Sequence, residues 1–261
     1  MPKFAANLTM LFNEVEFLDR FGAAAKAGFH GVEYLFPYPY PKAALVEALA
    51  KHKLVQVLHN LPAGDWSKGE RGVACIPGRE SEFKDGVGSA LEYAKALQCK
   101  QLNCLVGIAP AGAKPDAVRR ALVENLRFAA RALDREGIKL LVEAVNNFDI
   151  PGFYLTRTDQ TLALFDEVGE KNLWLQYDIY HMQRMEGELA ATMAKHLSRI
   201  AHIQLADNPG RNEPGTGEID YDYLFRRVDE IGYGGWIGCE YKPKTTTVDG
   251  LGWLARAAIN T

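Results

Sequence analysis

Four short apolar runs in this chain each end on a residue with a side-chain oxygen, and that recurrence limits the possible folds more than any other feature. The runs are KLLVE (139–143), LWLQYD (173–178), AHIQ (201–204) and WIGCE (236–240), ending on Glu143, Asp178, Gln204 and Glu240. Each reads as a β-strand. FAANL (4–8), GVEYLF (31–36), LVQVLH (54–59) and QLNCLV (101–106) have the same character. The eight runs start 23 to 47 residues apart, which leaves room for one helix and two loops per step.

The intervening segments carry helix signals. Pro115 suits a first helical position, Val118, Leu122, Leu126, Ala129 and Leu133 form one apolar stripe, and Gly137 closes the helix. A second helix is expected over 14–27, with Leu18, Phe21 and Ala25 on its buried face and Gly28 as its stop. Strands that alternate with helices imply parallel pairing through right-handed crossovers. Eight such units favour a closed (β/α)8 TIM barrel, one domain over 1–261, rather than an open doubly wound sheet. An open sheet would want a nucleotide loop, and neither GxGxxG nor a Walker A motif occurs. No nucleotide or redox cofactor is therefore expected.

Parity inside the strands points the same way. Gln176 and Asp178 share one face of their run, and His202 and Gln204 share one face of theirs. The apolar partners belong against the helices and the polar set inside the barrel. Gln176 and His202, nearer mid-strand, read as interior hydrogen-bonders. The four strand-end residues converge at the barrel mouth, where such enzymes do their chemistry.

Three carboxylates and an amide at one point repel unless a hard divalent cation sits among them. All-oxygen ligation by Glu143, Asp178, Gln204 and Glu240 favours Mg²⁺ or Mn²⁺ over Zn²⁺. Such a cation could take the two adjacent oxygens of a 2-hydroxy carbonyl compound and acidify its C–H bond. Two glutamates could then remove one proton and return another through an enediolate. A cation-bound carboxylate is a weaker base, so the substrate must be acidified by more than the glutamate is weakened.

Other polar residues are candidates around that centre. His181, three residues after Asp178, could reach a substrate oxygen or could pack at a helix cap. Arg211 could clamp a substrate carboxylate, since three acidic ligands outweigh one divalent cation. Lys242 shares the parity of Glu240 and is a second clamp. His59 ends the third run facing the mouth, and Arg71 and Arg79 follow it in a Gly- and Pro-rich stretch, residues 59–80. That stretch reads as a binding loop or lid over the mouth. Pro214–Gly217 reads as a turn.

With 261 residues and a net charge of −3, the chain has no Lys/Arg runs and nucleic acid is not an expected partner. It has no apolar stretch of membrane-spanning length, and its opening residues have no apolar core of a leader, so a cytoplasmic location is expected. Cys75, Cys99, Cys104 and Cys239 lack CxxC spacing and read as packed free thiols. Both a monomer and a homo-oligomer are compatible with the sequence.

FAANLTMLF (4–12), HNLPAGDWSKGERGVACIPGRE (59–80), YDIYHMQRMEGEL (177–189), HIQLADNPGRNEPGTGEID (202–220) and GWIGCEYKP (235–243) together carry a resemblance. Across essentially its whole length the chain resembles the hydroxypyruvate isomerase family, within the xylose-isomerase-like barrels that include the ketose 3-epimerases. The resemblance implies interconversion of hydroxypyruvate and tartronate semialdehyde, a small anionic hydroxy-oxo acid, without redox. It implies Glu143 and Glu240 as the proton donor/acceptor pair and Glu143, Asp178, Gln204 and Glu240 as metal positions. One departure stands out. The family's fifth strand usually ends Glu-Pro-x-Asn, and here it reads Glu143-Ala144-Val145-Asn146, which removes a proline that would stiffen the backbone past Glu143.

Four further kinds of protein use a similar frame. A sister group isomerises 2-oxo-tetronates. The 3-epimerases usually put His where Gln204 stands. Metal-dependent apurinic-site nucleases need many His ligands, against six His in this whole chain. A non-catalytic sugar-acid binding protein would not need the Glu143/Glu240 pair.

Overall fold

A strand that is apolar on both faces must be covered on both. In the computed structural model, which describes residues 2–259, eight strands meet that need by closing into a parallel barrel. They are β1 (Lys3–Asn7), β2 (Gly31–Glu33), β3 (Val55–Asn60), β4 (Gln101–Cys104), β5 (Lys139–Glu143), β6 (Leu173–Asp178), β7 (Ile200–Leu205) and β8 (Trp236–Cys239). Neighbours pair in chain order and β8 returns to β1. The (β/α)8 barrel expected from the alternation is the fold found.

The outer layer comprises α1 (Arg20–Lys26), α2 (Lys42–His52), α3 (Glu80–Ala96), α4 (Pro115–Asp134), α5 (Thr158–Val168), α6 (Ile179–Met185), α7 (Leu189–His196), α8 (Tyr221–Glu230) and α9 (Gly252–Ile259). Pro115 opens α4, and all five residues of its predicted stripe are buried. At roughly 2 kcal/mol per buried aliphatic side chain, that stripe anchors the helix to the barrel. Among the described residues no helix is long and apolar enough to cross a membrane. The four cysteines are free and buried.

Two expectations need correction. The helix over 14–27 is shorter: Phe17–Asp19 form a 3₁₀ turn and α1 begins at Arg20. The tighter 3₁₀ pitch rotates the stripe, so Phe21 and Ala24 are buried while Leu18 is exposed. The second and third strands also end elsewhere than expected. β2 stops at Glu33 rather than 36, β3 runs on to Asn60, and the β2–β3 register shifts between Val32 and Glu33.

The barrel is layered inside. Ala5, Val57, Leu58 and Leu141 fill its lower part. Above them lies a buried polar layer of Asn7, Glu33, Asn60, Asn103, Glu143, Gln176, His202 and Gln204. Residues 61–79 are tied down above β3 rather than loose. Gly72 passes so close to β4 that a Cβ there would sit 2.0 Å from the Leu105 carbonyl oxygen. Cys75 donates its backbone N–H to the Val106 carbonyl, and Asn125 of α4 donates to Ala74. Arg71 stacks on Trp66 at 4.0 Å, and Arg79 pairs with Glu70 and Glu82. Both arginines are thus engaged within the loop and its following helix.

Candidate active site

Parallel pairing in register brings the strand ends together: Glu143 lies beside Gln176, Asp178 beside Gln204, and Gln204 beside Gly238. Glu240 follows β8 directly. Glu143, Asp178, Glu240 and His181 each present a ligand atom within 4.8 Å of the others, and all four residues are buried. At that spacing an ionised pair of carboxylates repels by roughly 3 kcal/mol at an effective dielectric constant of about 20. Burial, reinforced by Glu240 and Asp178, holds the Glu143 carboxyl well above the usual range. Burial pushes Glu240 up to about 8 against the opposing pull of Arg211, and it also raises Asp178.

Asp178 caps α6, its Oδ1 accepting the Tyr180 and His181 backbone N–H groups. Its Oδ2 is buried with no hydrogen-bond partner and lies 3.7 Å from His181 Nε2. His181 is fixed from behind by Asn146. The Asn146 carbonyl oxygen accepts the Phe148 and Asp149 backbone N–H groups, so its Nδ2 donates to His181 Nδ1 at 2.6 Å. Burial and the nearby Arg211 and Arg184 hold His181 well below its ordinary pKa. With Nδ1 accepting from Asn146, the neutral imidazole carries its proton on Nε2, which stands 3.7 Å from Asp178 Oδ2, 3.8 Å from Glu143 Oε1 and 3.5 Å from Arg211 NH2.

Arg211 reaches the cluster from the loop after β7. It donates from NH2 to Glu240 Oε2 at 2.7 Å and lies over the Tyr180 ring at 5.2 Å. Its NH1 stands 3.7 Å from Asp149, and its buried Nε has no partner. The loop holding it is organised by Asp207, whose carboxylate accepts backbone N–H groups from Asn208, Gly215, Thr216, Gly217 and Ile219. Pro214–Gly217 is thus a turn, and one wrapped on a buried carboxylate.

Beneath the cluster the polar layer forms a hydrogen-bonded belt. Glu240 Oε1 accepts from Asn7 Nδ2, which also donates to Glu33. Glu33 accepts from Gln204 Nε2, Gln204 Oε1 accepts from Gln176 Nε2, and Gln176 Nε2 also donates to Glu143 Oε2. Asn103 Nδ2 adds a second bond to Glu143 Oε2 and one to Asn60. Glu143 is therefore aimed by two amides, and the chain after it by a Val145 N–H to Leu155 carbonyl bond. These bonds act where Ala144 replaces the family proline.

The structure brings Glu143, Asp178, His181, Arg211 and Glu240 together, with Gln204 in the belt below. His59 is not among them. Because β3 carries one extra residue where its register against β2 shifts, between the Val32–Gln56 and Glu33–Leu58 pairs, inward parity falls on Asn60, and the His59 ring turns to the helix layer beside the Tyr38 ring and the Ala90 backbone. Burial lowers its pKa to about 3, against a smaller opposing pull from the Ala90 backbone. Lys242 is exposed and, among the described residues, forms no ion pair. It lines a cleft of about 650 Å³ at the rim with Thr9, Leu35 and Trp66. Glu33, Asn146 and Asn103 were not predicted. Glu33 had a legible signal, a carboxylate flanked by Val32 and Tyr34, but it lies mid-run if the strand is read to Phe36.

The residues fit a bound cation: three converging carboxyl groups held up in pKa, a buried Asp178 oxygen without a partner, and an imidazole at the rim. Glu143, Asp178 and Glu240, with His181 beside them, could hold a metal ion.

Comparison with known proteins agrees with this architecture. The chain matches the Xylose isomerase-like TIM barrel family over residues 21–257. It is 59% identical to the hydroxypyruvate isomerase of Escherichia coli (strain K12), covering 97% of this chain and 98% of that one. It is 47% identical to the 2-oxo-tetronate isomerase of Cupriavidus necator, again over 97% and 98% of the two chains. A Brucella melitensis crystal structure, described as AP endonuclease, family 2, superposes with a TM-score of 0.95 at 45% identity, over 98% of this chain and 99% of that one. A closed eight-strand barrel, acidic strand ends and a match over 21–257 lead to one conclusion: this chain belongs to the xylose isomerase-like TIM barrel family.

Proposed function

We propose that this chain is a hydroxypyruvate isomerase, interconverting hydroxypyruvate and tartronate semialdehyde, with Glu143 and Glu240 as the proton-transfer pair. The observation that carries the reading is the pairing of two buried glutamates, both raised in pKa, within reach of one neutral histidine. The kinship with the Escherichia coli isomerase supports it. The two carboxyls meet one point from the end of β5 and the end of β8, as a pair that takes a proton from one carbon and returns one to the next must do.

Glu143, Asp178 and Glu240, with Gln204 as the amide member, would hold Mg²⁺ or Mn²⁺. When bound, that ion would polarise the substrate's adjacent oxygens and acidify its C–H bond. One glutamate takes the proton from C3 of hydroxypyruvate, and the other delivers one to C2 of the resulting enediolate. His181 Nε2–H donates to a substrate oxygen as charge develops there. Arg211, through its unpartnered Nε, pairs with the substrate carboxylate while holding Glu240.

Proton NMR with hydroxypyruvate in D₂O, with Mg²⁺ and then with EDTA, tests this reading. Tartronate semialdehyde carrying deuterium at C2, formed only with metal, is the expected result. Absence of turnover there, with conversion of a 2-oxo-tetronate, would move the chain to the sister activity. The kinship with the Cupriavidus protein favours that second reading over a ketose 3-epimerase.

A further inference from the structure

The two ends of a glutamine amide have nearly the same shape but opposite hydrogen-bonding sense, so an amide that must show oxygen to a cation needs something to orient it. Gln204 lies between Glu33, which it bonds directly, and Gln176, which links it to Glu143. On one side Glu33 Oε1 takes its Nε2–H at 2.8 Å. On the other, Gln176 gives one hydrogen to Glu143 Oε2 at 3.0 Å and one to Gln204 Oε1 at 2.6 Å. The Gln204 amide is thus oriented by Glu33 on one side and by the Gln176 amide on the other.

Glu33 is built into its position. It is 1% exposed, and its two oxygens accept from Asn7, Gln204 and His202. It fits inside the barrel because β8 carries Gly238 opposite. A Cβ at that position would stand 2.3 Å from Glu33 Oε1 and 2.4 Å from Oε2.

We propose that Glu33 is a positioning residue: by accepting the Gln204 Nε2–H it keeps the Gln204 carbonyl turned to the Glu143 side of the cluster, ready for a cation. This rests on Gln204 as a metal position, as stated under Proposed function. Glutamine at position 33 could donate as well as accept, which lets the Gln204 amide reverse and offer hydrogens to the ion. A carboxylate at position 204 has no wrong end and needs no such orientation.

Titration of the metal-free protein with Mn²⁺, followed by electron paramagnetic resonance of the free ion, tests the inference without relying on activity. Glu33→Gln is expected to weaken Mn²⁺ binding by roughly 10- to 100-fold, the usual cost of losing an outer-shell partner. Combining it with Gln204→Glu is expected to restore binding to within about threefold of the unaltered chain, a rescue that general loosening of the barrel would not produce. Binding by Glu33→Gln within about twofold of the unaltered chain, or a double variant no tighter than Glu33→Gln, overturns the inference. Should Glu33→Gln fail to fold, the double variant decides alone, and a loss there beyond about tenfold overturns it. If the unaltered chain binds no Mn²⁺, the metal reading under Proposed function falls and this inference with it. Tight binding by the unaltered chain with an indifferent Glu33→Gln removes only the role of Glu33.

Discussion

Asn146 donates to His181 Nδ1 at 2.6 Å, and the two backbone N–H groups that hold the Asn146 oxygen leave that donation only one direction. The bond decides which nitrogen of His181 carries the proton. Aspartate at position 146 could only accept, so the His181 proton would move to Nδ1 or the ring would become charged. Asn146→Asp is expected to lower kcat by roughly 10²-fold with the fold intact. Nitrogen-15 shifts of His181 should show the changed tautomer. Unchanged shifts and turnover would leave Asn146 as packing only.

Glu240 receives Arg211 on one oxygen and Asn7 on the other, so Gln at this position keeps the volume and much of the contact. What it loses is the titratable group. Glu240→Gln is expected to cost about three orders of magnitude in kcat and to abolish deuterium uptake at C2. Near-normal turnover would remove Glu240 from the mechanism.

The carboxyl cluster should make the metal-free protein sensitive to base. Glu143 and Glu240 are raised in the folded state, Glu240 to about 8, whereas in the unfolded chain they ionise near 4.5. Between those values the folded protein holds more protons than the unfolded chain, so its stability falls as pH rises. Above about pH 7.5, a unit past their ordinary value, histidines are largely neutral in both states and drop out of the comparison. Melting curves from about pH 7.5 to 8.5 should therefore show a falling Tm without metal and a flatter profile with saturating Mg²⁺. A metal-free Tm that rises across this window would contradict the cluster as described.

Asp207 collects five backbone N–H groups and so shapes the loop that delivers Arg211. Asparagine at this position would turn an NH₂ against some of those donors. Asp207→Asn is expected to lower stability by about 2 kcal/mol, in the range of hydrogen bonds to a charged group. It should raise KM more than it lowers kcat, because Arg211 loses its fixed approach while the glutamates keep theirs. Urea unfolding and steady-state kinetics check both parts. A loss in kcat with constant KM would assign the loop a different role.

The barrel was legible because its signals are local. Apolar runs, helical stripes and strand-end acids survive small errors in boundary, and Glu143, Asp178 and Glu240 meet as their shared position type implied. His59 shows where such reading stops. The β2–β3 register shift inserts one extra residue into β3 before Leu58, which moves the inward parity to Asn60 and turns His59 outward, since side chains alternate with a period of two. Glu33 shows the converse. Reading its run to Phe36 hides a carboxylate that in fact ends its strand.

The order of runs and breaks in the sequence determined a closed parallel barrel with acids at its mouth, because hydrophobic burial and side-chain parity are properties of short segments. The sense of each hydrogen bond was decided only by the tertiary structure. Gln204 meets Glu33 across 171 positions of chain and Asn7 meets Glu240 across 233. Such pairs exist only once β8 has closed against β1, and it is closure that determines which end of each amide faces a carboxylate.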